Sequence, residues 1–67
     1  MMKITVNGQK QYYAGPPRVT GLLETLGINP RVVVVERNLR IVPALELDKE
    51  PVQSGDSIEI IRFVGGG

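Results

Sequence analysis

The sequence predicts an α+β domain, a mixed sheet of four to five strands packed on one main helix in the order β-β-α-β-β-β. Three observations carry this. Met2, Ile4 and Val6 alternate with Lys3, Thr5 and Asn7, the period of a half-buried strand, and Asn7-Gly8 follows at once. Val19, Leu22, Leu23 and Leu26 stand at i, i+3, i+4 and i+7, the apolar stripe of a helix. Beyond that stripe the chain returns to short β-branched or alternating runs with little helix.

Each element has a local reason. Asn and Gly both tolerate positive φ, so Asn7-Gly8 reads as a hairpin turn and Gln9 to Ala14 as the return strand. Tyr12 and Tyr13 suit a pleated surface, but adjacent residues of a strand point to opposite faces, so only one meets the core. Gly15-Pro16-Pro17 ends the strand, because proline donates no N–H and restricts the residue before it. The helix start is weak: Arg18 stands where Ser, Thr or Asp would cap, and Gly21 loosens the first turn. A frayed start near residues 18 to 20 is expected, with Thr20 as an alternative cap. Gly27 can take the left-handed conformation that closes a helix.

Val32 to Val35, four β-branched residues in a row, suit a buried central strand. Asn38 is a turn residue, and Leu39 to Val42 is a short strand closed by Pro43. Ala44 to Val52 is irregular, with at most one helical turn and with Leu45 and Leu47 as anchors. Ser54-Gly55-Asp56 is a tight turn that Asp56 stabilises. Ile58, Ile60 and Arg62 alternate with Glu59, Ile61 and Phe63 in a last strand whose apolar run fits a central position. A right-handed crossover lets the helix link the second and third strands across one sheet face. The expected division is a folded domain over 1–63 and a flexible glycine tail over 64–67.

Composition excludes more than it specifies. A chain of 67 residues holds one domain, and at this size only ~60% of the unfolded surface is buried. There is no Cys and no His, which removes disulfides, thiolate metal sites, the commonest general base and the commonest metal ligand. The net charge is +1, from 8 basic and 7 acidic residues, and argues for neither nucleic acid nor an anionic membrane as partner. Glu24, Glu36, Asp48, Glu50, Asp56 and Glu59 show no spacing of a metal site or a catalytic carboxylate pair. No run approaches the ~20 apolar residues of a membrane helix, and the N-terminus lacks the apolar core of a signal peptide. The expectation is a cytoplasmic, non-enzymatic protein with no metal and no bound cofactor, monomeric when free.

The chain ends in Gly65-Gly66-Gly67. Such an end is also the composition of a frayed terminus. Against that stand its position directly after a strand that reads as central, its extended reach of ~10 Å, and its chemistry. A terminal carboxyl has a pKa of ~3.3–3.7 and is ionised near neutral pH. Without side chains, the tail can enter a channel where any Cβ would clash. An unhindered carboxylate is a competent nucleophile toward the α-phosphate of ATP, once another protein binds and orients both.

In order, the residues Ile4-Thr5-Val6-Asn7-Gly8, then Val19, Leu22, Leu23 and Leu26-Gly27-Ile28, then Val33-Val34-Val35-Glu36-Arg37-Asn38 form a recognisable series. It continues through Ile41-Val42-Pro43 and Gly55-Asp56 with Ile58-Glu59-Ile60, to Phe63-Val64-Gly65-Gly66-Gly67. Over essentially its whole length the chain resembles the ubiquitin-like sulfur carriers, and among them the thiamine-biosynthesis branch. The resemblance implies a ubiquitin-like β-grasp fold. It implies that an adenylating, ubiquitin-activating-like enzyme uses ATP to convert the Gly67 carboxylate to an acyl-adenylate. Sulfur from a persulfide-bearing donor protein then replaces AMP, and the resulting thiocarboxylate supplies thiazole synthase. Gly65 and Gly66 become the access path. The departures from the family pattern, Arg18 and Gly21, lie at the helix start.

Ile61 and Phe63 face away from the helix if Ile58 and Ile60 face it. Two readings stand side by side: an apolar docking surface for the adenylating enzyme, together with Arg62 and Val64 beside the tail, or a pair covered by neighbouring side chains on the far face. Other functions also remain open on sequence. They are the small subunit of molybdopterin synthase, a protein modifier joined to lysines through Gly67, and a ubiquitin-like binding module with an unused tail.

Overall fold

A computed structural model of the chain describes residues 1–63. It contains β1 (Met2–Val6), β2 (Gln9–Tyr13), α1 (Val19–Thr25), β3 (Val33–Arg37), β4 (Arg40–Val42) and β5 (Ser57–Arg62). Single 3-10 turns occupy Pro30–Val32 and Ala44–Glu46. The five strands form one sheet in the order β2-β1-β5-β3-β4. The pair β1–β5 is parallel and the other pairs are antiparallel, so the sheet is mixed, as expected. The last strand is the middle one, the position its apolar run fits. This is the β-grasp arrangement: a mixed sheet holding one helix.

Asn7 and Gly8 both take positive φ, 49° and 82°, and close the β1–β2 hairpin. The β3–β4 hairpin uses the same device with Asn38 and Leu39, at φ 52° and 70°. Leu39 therefore belongs to the turn, not to the strand expected over Leu39 to Val42.

The inward residues of β1, β3 and β5 pack on α1. Ile4, Val35, Ile58, Val19, Leu22 and Leu23 are each at most 1% exposed and form its centre. Of the two tyrosines only Tyr13 is buried; its hydroxyl donates to the Pro16 carbonyl, and burial pushes its pKa above the ordinary value.

The helix begins and ends where the sequence places it, with Arg18 as N-cap and Gly27 just past the end, and two details differ from the expectation. The start is not left to fray. Arg18 contributes no side-chain cap, but the Val19 and Thr20 amides donate to the carbonyls of Glu50 and Leu47, at 3.0 and 3.2 Å. The loop before β5 thus satisfies amides that a capping side chain would satisfy elsewhere. At the other end Gly27, at φ 72°, closes a Schellman motif: its amide donates to Glu24 and that of Ile28 to Leu23. The closure turns Leu26 outward, to 37% exposure, and Ile28 packs on the core instead.

Two further expectations shift by short turns. Val32 lies in the 3-10 turn started by Pro30, which the Asn29 side chain supports by accepting from the Arg31 amide at 2.9 Å. It is exposed, and β3 begins at Val33. Leu45 does not anchor its loop: the turn over Ala44–Glu46 carries it outward, 88% exposed, while Leu47 and Val52 are buried.

Candidate functional site

The candidate site residues that the structure describes, Ile61, Arg62 and Phe63, lie at the C-terminal end of β5. That strand runs beside β1 only at Thr5–Ser57 and Val6–Ile58. The Asn7 side chain then takes over. Its Oδ1 accepts from the Ile60 amide at 2.7 Å and its Nδ2 donates to the Ile60 carbonyl at 3.3 Å. Beyond Ile60 the strand pairs only with β3 among the described residues, through Ile61–Val34 and Arg62–Val33, and the Phe63 amide donates to Val32 at 2.9 Å. The strand therefore leaves the middle of the sheet held along one edge and open along the other. Val64, Gly65, Gly66 and Gly67 follow it and lie outside the described residues.

Ile61 and Phe63 are 49% and 61% exposed, so neighbouring side chains do not cover them. Arg62 is exposed and makes no ion pair among the described residues. The sheet register adds residues that the sequence reading passed over. Val34 stands opposite Ile61, and Ile41 of β4 stands opposite Glu36 on the same outer face. Ile41 is 67% exposed, and a shallow groove between Pro30, Val34, Ile41, Pro43 and Phe63 runs beside the tail's base. Alternation could have placed Ile41 outward, since Val42 beside it is buried; its neighbourhood to Ile61 required the β3–β5 register.

The turn that launches β5 is held by a polar cluster. Arg37, at the end of β3, donates from Nε to Asp56 at 2.8 Å and from Nη1 to Glu50 at 3.1 Å, and Gln53 accepts from its Nη2. Asp56 is buried, and accepts also from the Gln53 amide at 2.7 Å and from Asn38 Nδ2 at 3.0 Å. Burial alone would push its carboxyl pKa up. The hydrogen bonds from Arg37, Asn38 and Gln53 outweigh burial and hold it below the ordinary carboxylate value. Asp56 thus stabilises its turn as expected, but through a long-range guanidinium that spacing along the chain could not reveal.

Among the described residues no group of His, Cys, Asp or Glu is placed to hold a metal ion, and no helix is long and apolar enough to cross a membrane. The described residues offer a sheet edge and an exposed apolar surface that a partner can grip.

Known proteins resemble this chain in sequence and fold. The model of the ThiS family matches residues 4–67. The chain is 42% identical over 66 residues to a thiazole synthase of Paramagnetospirillum magneticum and 38% identical to one of Magnetococcus marinus. Each match takes in 98% of this chain but only 20% of the relative, so the chain spans about a fifth of their length. A crystal structure of the thiamine biosynthesis protein ThiS from Geobacter metallireducens superimposes with a TM-score of 0.85 at 35% identity, covering 98% of this chain and all of that one. That agreement extends the ubiquitin-like fold across the whole described chain. With the family match running from β1 through the terminal glycines, the chain belongs to the ThiS family.

Proposed function

We propose that this protein is a sulfur carrier of thiamine biosynthesis, a cosubstrate that other enzymes act on. An adenylating enzyme binds the outer sheet face and draws the tail into its ATP site. The Gly67 carboxylate attacks the α-phosphate, pyrophosphate leaves, and a C-terminal acyl-adenylate forms. The outer sulfur of a donor protein's persulfide attacks the acyl carbon and expels AMP, and a thiol of a partner protein then cleaves the resulting acyl disulfide, leaving the thiocarboxylate on this chain and a disulfide on the partner side. Thiazole synthase then takes the sulfur into the thiazole ring.

The observation that carries this reading is the family match through Gly67, on a chain whose tail follows the central strand of the sheet. Three supports join it. The chain has no Cys and no His, so it brings no nucleophile–base pair of the usual kinds and the chemistry falls to partners. Ile61 and Phe63 present apolar area beside the tail. The relatives named thiazole synthase contain a stretch like this chain. In this role the protein binds no cofactor itself; ATP belongs to the partner.

The test is mass spectrometry of the protein after incubation with the adenylating enzyme, ATP and a persulfide donor. A mass gain equal to exchange of one oxygen for sulfur, mapped to the C-terminal peptide, is the expected result. Adducts of this chain on lysines of other proteins would instead make it a modifier.

A further inference from the structure

Glu36 of β3 and Glu59 of β5 stand directly opposite each other on the outer face of the sheet. Directly opposed like charges work against strand pairing, since their Cβ atoms lie only ~4.5–5.5 Å apart. Both residues are half-buried, and neither has a hydrogen-bonding or ion-pair partner among the described residues. The nearest arginine along the chain, Arg37, points to the other face and is committed to Glu50 and Asp56. Beside the two carboxylates lie apolar groups: Ile41 is next in the same cross-strand row, and Val34 and Ile61 form the adjacent row. The fold thus keeps a repulsive pair at the centre of the outer face, with apolar groups toward β4 and the tail and the polar Ser57, Thr5 and Lys10 toward β1 and β2.

We propose that this face docks a basic surface of the adenylating enzyme, with an arginine or lysine of that partner seated between Glu36 and Glu59 and the apolar groups packed around it. The inference rests on the functional reading above and names the chemistry of its docking step. The charge argument selects this partner. Two opposed, half-buried carboxylates with no cation of this chain's described residues between them are complementary to a cation brought by the partner. Glu59 precedes Phe63 by four residues, ~13 Å along an extended strand. The acidic pair therefore sits where a carrier with its tail in the partner's ATP site meets the site's rim.

The test compares Glu36→Gln/Glu59→Gln with the matched pair Glu24→Gln/Asp48→Asn, which removes the same charge elsewhere. Affinity for the adenylating enzyme is measured by titration across a range of salt concentrations, and Tm is measured for the free proteins. The first pair is expected to weaken binding ~10-fold at low salt and to flatten its salt dependence, as loss of a charged contact does. It is expected at the same time to raise Tm by roughly 2–4 °C, as cross-strand repulsion is relieved. The control pair is expected to change affinity less than ~2-fold. Unchanged affinity, an equal loss in the control pair, a fall in Tm, or a loss of affinity confined to thiazole synthase would each overturn the inference. If the unaltered protein is not adenylated at all, the functional reading fails first and takes this inference with it. A defect limited to the Glu36/Glu59 variant leaves that reading standing.

Discussion

At the scale of single residues, Asp56 shows how one side chain fixes the base of the site. Its carboxylate ties the end of β3, the loop before β5 and the turn that launches β5 into one unit. Replacing it with Ala leaves the Arg37 side chain, only 19% exposed, with part of its partners gone, and should cost ~2–3 kcal/mol, read from the denaturant midpoint. Because the folded state lowers the Asp56 pKa, the unfolded chain binds this proton more readily. The stabilisation is complete above the ordinary value of 3.8, shrinks as the pH drops below it, and is gone once the pH falls through the folded-state value. Asp56→Asn should accordingly show a flatter stability curve over that acid range than the unaltered protein.

Gly21 gives a second residue-scale prediction, opposite in sign to helix propensity. A Cβ there would lie 2.7 Å from the Tyr13 hydroxyl and 2.8 Å from the Pro16 carbonyl, which are hydrogen-bonded to each other. Ala is favoured over Gly in a helix interior by ~1 kcal/mol, yet the clash with backbone should win and leave Gly21→Ala ~1–2 kcal/mol less stable by thermal denaturation.

At the scale of elements, the boundary between what the sequence shows and what it hides follows the range of the interactions. Strand and helix patterns depend on neighbours within a few residues, so β1, β2, α1 and β5 were legible from periodicity, and Asn7-Gly8 and Gly27 from backbone preference. The helix start is legible in place, with Arg18 as an N-cap that offers no side-chain cap, but not in what satisfies its amides, because the carbonyls of Leu47 and Glu50 arrive only when the chain has folded. The exposure of Val32 and Leu45 is hidden in the sequence because single 3-10 turns rotate a side chain without altering the apolar pattern. The outward faces of Ile61 and Phe63 could be read from alternation. Their association with Val34 and Ile41, and the opposition of Glu36 to Glu59, could not, because each depends on strand register. Phe63 tests the docking role at this scale. With 61% of its surface exposed, Phe63→Ala should leave stability within about 0.5 kcal/mol of the unaltered protein. It should raise the KM of the adenylating enzyme for the carrier ~10-fold, the loss expected for one apolar anchor of an interface.

At the scale of the whole molecule, the fold separates what must be rigid from what must be reached. The helix, the inward faces of the strands and the Arg37–Asp56 cluster secure β5 in the middle of the sheet. The outer face near its end carries the exposed apolar groups and the two carboxylates that have no partner among the described residues. The chain then continues into Gly65, Gly66 and Gly67, where the proposed chemistry takes place on one carboxylate. The most direct measurement of this claim is ATP–pyrophosphate exchange by the adenylating enzyme, with the full chain and with a chain lacking Gly67. Exchange that depends on the full chain and disappears on deletion, while the circular dichroism and Tm of the shortened protein stay unchanged, is the predicted result. Exchange that persists without Gly67 would contradict the account.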